Sequence, residues 1–559
     1  MSATSFTELR GEPREDDELL AELIRHIDIA TTRAASHSAD QAATSKELRA
    51  ALRKDCEAIG QAALEVSDSL RNWATHIPWD LLVSLKAPAT HSEASDWKAV
   101  SQKLPEVGQM LSELASPSHL NESGNELERF ALDKNAYDFY RPAGKNLLRR
   151  TEDYYEWVQA RRQTEMWQYS RTLEASPSNV SALRNDVGRL AKGINYNSQD
   201  YLSLNTHPEV LAAVHEALAE FGPHSAGSPM VLGNTHYSNS LESALADLTQ
   251  MEHVMLFPTG WAAGFGSVVG LVRQDDHVVL DRLAHACLQQ GARAATRNLV
   301  RYDHLDVEAA RDAIRNIRRT DAHNGILVIT DGLFSVDSDW CDIAKLQEYC
   351  SEFDATLMVD TAHDLGSMGE GGTGVLGMQN MLGKVDIVMS SFSKVFASNG
   401  GFLASRSPAV KQYVKMFSGT HLFSNALSAA QAAAVLKATQ IVRSPEGAQL
   451  RQNLAAAIAG LRDELTRRGL TCMGEPSPIV PLLIGNEKLA RVAHRLVFER
   501  NVLAFMVEFP IAPTGASRFR LQVQASHTPE QGREAAGVFA EVLEEARAHL
   551  ASGFGMGLS

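Results

Sequence analysis

From about residue 190 onward, short apolar runs alternate with stretches that repeat every three or four residues. The runs lie at residues 254–257, 277–280, 326–330, 355–360, 386–390 and 401–405. Their length and continuity predict buried strands. Residues 307–318 and 343–353 carry the helical spacing between them. Strand–helix alternation over this length predicts a largely parallel sheet wrapped by helices, an α/β architecture. In such sheets ligands bind beyond the carboxyl ends of the strands. The residues just after each run are therefore the first place to look for chemistry.

The flanks have other textures. Residues 1–175 read as mostly helical, with apolar spacing at 19–27, 47–66 and 149–171. Breaks rich in Ser, Pro, Ala, Asn and Gly fall at 86–95 and 116–125, and a third at 175–179. After residue 440 a helix (447–468) leads to a strand (479–484), a helix (488–499), a short run (502–505), an alternating strand (518–524) and a last helix (530–549). That is a small α+β domain. The expected division is a helical N-terminal extension at 1–175, a large domain at 176–440 and a small C-terminal domain at 441–559. A chain of 559 residues accommodates about two to four domains. No internal repeat is present.

Composition narrows the function. The net charge of −15 repels a phosphate backbone, which excludes general nucleic-acid binding. The basic pairs Arg149–Arg150 and Arg161–Arg162 read as a solvated helix face. No apolar run approaches the roughly 20 residues of a membrane span. The first residues, acidic and polar, lack the apolar core of a secretory signal, so the cytoplasm is expected. Cys56, Cys287, Cys341, Cys350 and Cys472 are odd in number and contain no CxxC, which predicts reduced thiols and no zinc site.

Four strand ends carry the chemistry. Ser390-Ser391-Phe392-Ser393-Lys394 puts a lysine in a serine-rich turn. A desolvated lysine loses its proton and becomes a nucleophile, and the hydroxyls suit a phosphate; a surface lysine in a turn is the plain alternative. Val359-Asp360-Thr361-Ala362-His363 ends a strand on an aspartate. That carboxylate suits the pyridine nitrogen of pyridoxal phosphate (PLP), with His363 near the ring oxygen or the lysine. Taken alone, Asp360 serves equally for Mg²⁺ or a helix cap. Thr259-Gly260-Trp261-Ala262-Ala263-Gly264 is a glycine turn whose N–H groups suit a phosphate, or merely close packing. Asp281 through Cys287 offers His285, whose flat ring could stack on a pyridine, and Cys287, which nothing nearby marks as an activated thiolate. The order of the four along the chain is more telling than any one of them.

With these blocks, residues 190–545 resemble the α-oxoamine synthase family of fold-type I PLP enzymes. Matching blocks include Asp200-Tyr201-Leu202-Ser203-Leu204, Leu241-Glu242, Thr259-Gly260-Trp261, Asp281 to His285, Phe334-Ser335-Val336-Asp337, Asp360-Thr361-Ala362-His363, Ser391-Phe392-Ser393-Lys394, Gly400-Gly401, Phe423-Ser424 and Arg518-Phe519-Arg520. The resemblance implies roles. Lys394 would carry PLP as a Schiff base and shuttle protons. Asp360 would pair with the pyridine nitrogen, and His285 would stack on the ring. His363 and Ser335 would bond near its phenolic oxygen, and Gly260, Trp261 and Ser391 would hold the phosphate. Ser424 would reach the phosphate of the partner subunit in a homodimer with shared sites. Arg520 would take the amino-acid carboxylate, and Gln199 stands where relatives carry Asn. The implied reaction is a decarboxylative Claisen condensation of an amino acid with an acyl thioester, from CoA or an acyl carrier protein, giving an α-amino ketone.

The chain departs from the family at Gly227-Ser228-Pro229, Thr330-Asp331-Gly332, His285-Ala286-Cys287 and Leu427-Ser428-Ala429. These departures leave the amino acid and acyl donor open. Two other readings compete: an aminotransferase or retro-Claisen lyase of the same fold, and a non-catalytic scaffold subunit. Presence of Lys394, Asp360, His285 and His363 argues against the second. In the extension, Asp68-Ser69-Leu70 resembles a carrier attachment serine but lacks the preceding glycine loop. The aromatics Tyr154, Tyr155, Trp157, Trp167 and Tyr169 read as packing residues. The extension is expected to dock an acyl carrier or brace a dimer.

Overall fold

Alternate residues of the apolar runs face two separate cores. Val254, Leu256, Val328, Leu357, Val359 and Phe402 enter one, and Met255, Phe257, Leu327, Ile329, Met358 and Leu403 enter the other. A strand buried on both faces must be apolar throughout, which is why these segments read as unbroken runs. Each such side chain contributes roughly 1.5–3 kcal/mol on burial. The computed structural model describes residues 16–37, 45–66, 71, 77–86, 101, 103–115 and 126–551.

The chain divides into two compact units. One takes residues 1–122, 133–157 and 508–515, the other residues 123–132, 158–507 and 516–559. In the first, helices Asp16–Ala35, Lys46–Glu65, Trp79–Ser84 and Leu104–Ala115 enclose Leu23, Ile27, Ile59, Leu82 and Leu111. Ser45 caps the second of these by accepting from the Leu48 N–H at 3.2 Å. The Asp68-Ser69-Leu70 motif and most of the breaks expected at 86–95 and 116–125 lie outside the described residues.

In the second unit, β1 (Thr172–Leu173), β2 (Val180–Arg184) and β3 (Leu190–Asn195) form a small sheet. The main sheet holds seven strands: β4 (His253–Phe257), β5 (His277–Asp281), β6 (Asn298–Tyr302), β7 (Ile326–Asp331), β8 (Thr356–Asp360), β9 (Ile387–Ser391) and β10 (Gly401–Ser405). Their spatial order is β4-β10-β9-β8-β7-β5-β6. β10 is antiparallel to both neighbours, and the remaining pairings are parallel. Hence the carboxyl ends of six strands and the start of β10 share one edge. The C-terminal part adds β11 (Ile479–Gly485), β12 (Val502–Leu503), β13 (Phe505–Val507) and β14 (Ser517–Gln522). β14 lies between β11 and β13, and β12 extends the small sheet beside β3. Helices Pro445–Arg467, Glu487–Glu499 and Pro529–Ala551 accompany them.

Several elements differ from the sequence reading, among them β1, β2 and β3, for which no strands were expected. The helix expected over 149–171 is a short 3-10 turn, Arg149–Thr151, followed by an α-helix, Glu152–Gln163. It stops because Glu165 takes a left-handed conformation, φ 56°, and the Met166 and Trp167 N–H groups fold back on the Arg161 carbonyl. β6 had no counterpart among the expected strands. It is a half-exposed edge strand interrupted by Arg301, so it shows no apolar run.

Candidate active site

The shared strand edge encloses a cavity of ≈ 250 Å³, and each expected strand-end block reaches it. β4 delivers Thr259, Gly260 and Trp261. β5 leads to His285 and Cys287, β7 ends on Asp331, β8 leads to Asp360 and His363, and β9 leads to Ser391, Ser393 and Lys394. Gly400 enters from the start of β10. Of the residues singled out in the sequence, Lys394, Asp360, His285, His363, Gly260, Trp261 and Ser391 therefore converge on one space.

Its floor is a set of buried charges. The Asp360 carboxylate is 5% exposed and accepts from the Ala362 N–H at 2.9 Å. Burial raises its pKa, while His285 and Lys394 pull it back down. Burial also lowers the pKa of Lys394; Asp360 opposes this and Arg520 adds to it. The lysine is thus easier to deprotonate than one in water. Asp331 is pushed well above the ordinary carboxylate range, first by burial and then by the negative charge of Asp360.

One end of the cavity is built for an anion. Thr259 caps the helix Gly260–Leu271, its hydroxyl accepting from the Ala262 N–H at 3.0 Å. The first N–H groups of that helix have no intrahelical partner. Residue 260 must be glycine: a Cβ there would lie 2.3 Å from Ser391 Oγ. Ser391 and Ser393 hydroxyls sit 2.8 Å apart beside it. Helix dipole, free N–H groups, hydroxyls and a lysine together suit a phosphate.

Burial is the first cause keeping both histidines of the wall neutral. His285 Nδ1 accepts from the Cys287 N–H at 3.3 Å, capping the helix Ala286–Ala295, and lies 3.0 Å from Cys287 Sγ. The ring's other nitrogen therefore carries the proton. Burial lowers the His285 pKa, with Asp360 opposing. Trp261 meets its ring edge-on at 6.3 Å. His363 is buried, and its pKa falls well below the ordinary value through burial and the nearby charges of Lys394, Arg520 and His285. The Cys287 thiol is driven up by burial, so it stays protonated, although its sulfur, His285 and Asp360 lie within 4.8 Å of one another.

The other expected residues do not line the cavity. Arg520, on β14, is buried and donates from Nε to the Ser335 carbonyl. Its charge still reaches His285, His363 and Lys394. The Ser335 carbonyl is thus held by Arg520, on the turn that also carries Asp337, the ion-pair partner of Arg518. Gln199 is half-buried, with its carbonyl taken by the Tyr201 N–H at 2.9 Å. Ser424 is half-buried beside Phe423, which is 86% exposed.

Two groups went unread: Tyr201, which bonds a residue of the cavity, and His304, which does not line it. Tyr201 bonds His363 from 162 positions away, and no spacing rule reaches that far. His304 lies just past the unrecognised β6. Its Nδ1 is 2.9 Å from Asp281 and its Nε2 3.1 Å from Asp339. Reading the strand would have marked it as a strand-end histidine.

The profile of the aminotransferase class I and II family matches residues 191–539. The 8-amino-7-oxononanoate synthase of Stutzerimonas stutzeri (strain A1501) is 33% identical over 337 residues, 60% of this chain and 84% of the relative. The serine palmitoyltransferase of Sphingobacterium spiritivorum is 31% identical over 352 residues, 63% of this chain and 86% of the relative. Among solved structures, Sphingomonas wittichii serine palmitoyltransferase superposes with a TM-score of 0.67 at 24% identity, covering 72% of this chain and 99% of that one.

Proposed function

Because the chain belongs to the aminotransferase class I and II family, and within it to the PLP-dependent α-oxoamine synthases, we propose that it condenses an amino acid with an acyl thioester, releasing thiol and CO₂ and leaving an α-amino ketone. The observation that carries this reading is the meeting of Lys394 and buried Asp360 in one cavity with an anion cradle at its end.

The residues present fit PLP. Asp360 would hold the pyridine nitrogen, and Thr259, Gly260 and Ser391 would hold the phosphate. When bound, PLP supplies an electron-poor ring that accepts the negative charge developing at the substrate's α-carbon. The chain's own groups do the rest. Lys394, with its lowered pKa, takes the α-proton on Nζ and returns it after condensation. His285 walls the ring's face, and His363 offers a polar atom at the rim. Arg520, held by the Ser335 carbonyl, supplies the charge that orients a carboxylate. Gln199 completes the substrate side. The donor on this reading is an acyl-CoA or acyl carrier protein.

A second copy completes the site. Val231 and Leu232 are 84% and 74% exposed, on a loop joined to the segment around Ser424 by Ala426 N–H donating to Gly227 O at 2.9 Å. Together with Phe423 this apolar rim suits a homodimer in which Ser424 reaches the partner's phosphate. The helical region within 1–175 docks a carrier or braces that dimer; carrier pull-down with the full chain and with one starting near residue 150 tests it, and equal capture by both ends it. No described helix is long and apolar enough to cross a membrane, and all five cysteines are free, which supports work in the cytoplasm.

The test is a screen of amino acids with and without acyl thioesters, read as thiol and CO₂ release. Borohydride treatment of PLP-loaded protein is expected to fix a pyridoxyl group at Lys394, read by peptide mass. Amino transfer to a keto acid without thiol release replaces condensation by transamination. Absence of any label at Lys394 removes the reading altogether.

A further inference from the structure

A phenol with no access to solvent stands behind His363. Tyr201 is 0% exposed, with its oxygen 2.8 Å from His363 Nδ1 and 3.4 Å from Gln522 Oε1. Gln522 donates from Nε2 to the Asn197 carbonyl at 2.9 Å, which turns its oxygen toward Tyr201. The phenol has one proton: given to Gln522, it leaves His363 Nδ1 to donate to the phenol; given to His363, it makes Nδ1 the acceptor. Hydroxyl hydrogen bonds to oxygen run to about 3.0 Å, so the 3.4 Å contact is outside that range and the 2.8 Å contact takes the proton.

A nitrogen that accepts carries no proton of its own. Neutral imidazole then bears its hydrogen on Nε2. Three other titratable groups face the ring, Lys394, Arg520 and His285, and none is a carboxylate that would favour a second proton. We propose that Tyr201 is a positioning residue: its hydroxyl fixes His363 as the Nε2–H tautomer, so that His363 donates a hydrogen bond into the cavity and cannot act there as a base. Lys394 is then the one base on the substrate, and His363 stabilises an anionic oxygen such as the phenolic oxygen of the cofactor. The inference concerns the internal wiring of the site and rests on the PLP reading only for that last step.

Tyr201→Phe removes the hydroxyl and keeps the ring. In the full-length apo-protein, ¹⁵N-histidine NMR is expected to report unprotonated Nδ1 for His363 in the wild type and a mixture of tautomers in the variant. In PLP-loaded protein, the pH midpoint of the visible absorption band is expected to rise by roughly half to one unit in Tyr201→Phe, because a donor to the phenolate is weakened. Gln522→Leu is expected to move neither reading. A protonated Nδ1 in the wild type overturns the proposal, as does a midpoint that moves with Gln522→Leu but not with Tyr201→Phe. If Tyr201→Phe fails to fold, the wild-type tautomer and the Gln522 variant still decide. If the protein takes up no PLP, the functional reading fails while the tautomer measurement still judges Tyr201.

Discussion

His363 and His304 are both largely buried, each a few residues past a strand of the main sheet, and differ in charge: His363 is neutral and His304 cationic. His363 faces Lys394, Arg520 and His285, and its pKa falls well below the ordinary value. His304 lies between the carboxylates of Asp281 and Asp339, which raise its pKa to about 10 even though burial works against them. Its ring also meets Phe334 edge-on at 4.5 Å. Burial penalises charge in both. The difference is that one site supplies two carboxylates and the other supplies cations and a phenol. Charge state inside this protein is therefore set by the neighbouring charges, which allows a neutral histidine at the cavity and, near neutral pH, a cationic one between two carboxylates.

The comparison can be broken from the cavity side first. Lys394→Ala removes both the nucleophile and a cation facing His363. Thiol release is expected to fall at least about a thousandfold, and no pyridoxyl label should form at position 394. The same variant sharpens the contrast, since His363 should become easier to protonate.

Breaking the other side costs stability. His304→Gln leaves Asp281, which is 0% exposed, without its cation, and is expected to cost about 3–5 kcal/mol, read as a lower denaturation midpoint. The pH dependence follows from the sign of the shift. The folded pKa, about 10, exceeds the roughly 6.5 of an unfolded histidine. The stabilisation is complete below about 6.5 and is lost as pH rises toward 10. Wild-type protein should lose stability over that window, and His304→Gln should show a flatter profile.

A smaller effect is expected from Arg520→Lys, which keeps the charge but loses the planar fork. The amino-acid KM should rise about tenfold with kcat changed far less. The smallest belongs to Cys287→Ser. It exchanges a weak S–H partner of His285 Nδ1 for a hydroxyl, and steady-state rates should stay within about threefold. The buried thiol's slow reaction with alkylating reagents should disappear.

Much of this was legible in the sequence because buried parallel strands are unbroken apolar runs and their ends carry the chemistry. β7, β8 and β9 lie close to their expected positions, and Asp360, His363 and Lys394 follow directly. β6 was not legible, since an edge strand needs only one buried face and Asn298 and Arg301 hide its pattern. His304 was lost with it. Tyr201 stood inside a recognised block, yet its partner is fixed only by the tertiary fold. The end of the helix at Gln163 turned on one left-handed residue, Glu165, which carries no composition signal.

The antiparallel pairing of β4 with β10 has a consequence during synthesis. β4 leaves the ribosome about 140 residues before its hydrogen-bonding partner exists. At about 5–20 residues per second, the segment His-Val-Met-Leu-Phe waits on the order of ten seconds with both edges unpaired. That interval is when the nascent polypeptide is most exposed to aggregation, and a holdase that releases only after Ser405 has emerged would raise the yield of folded enzyme.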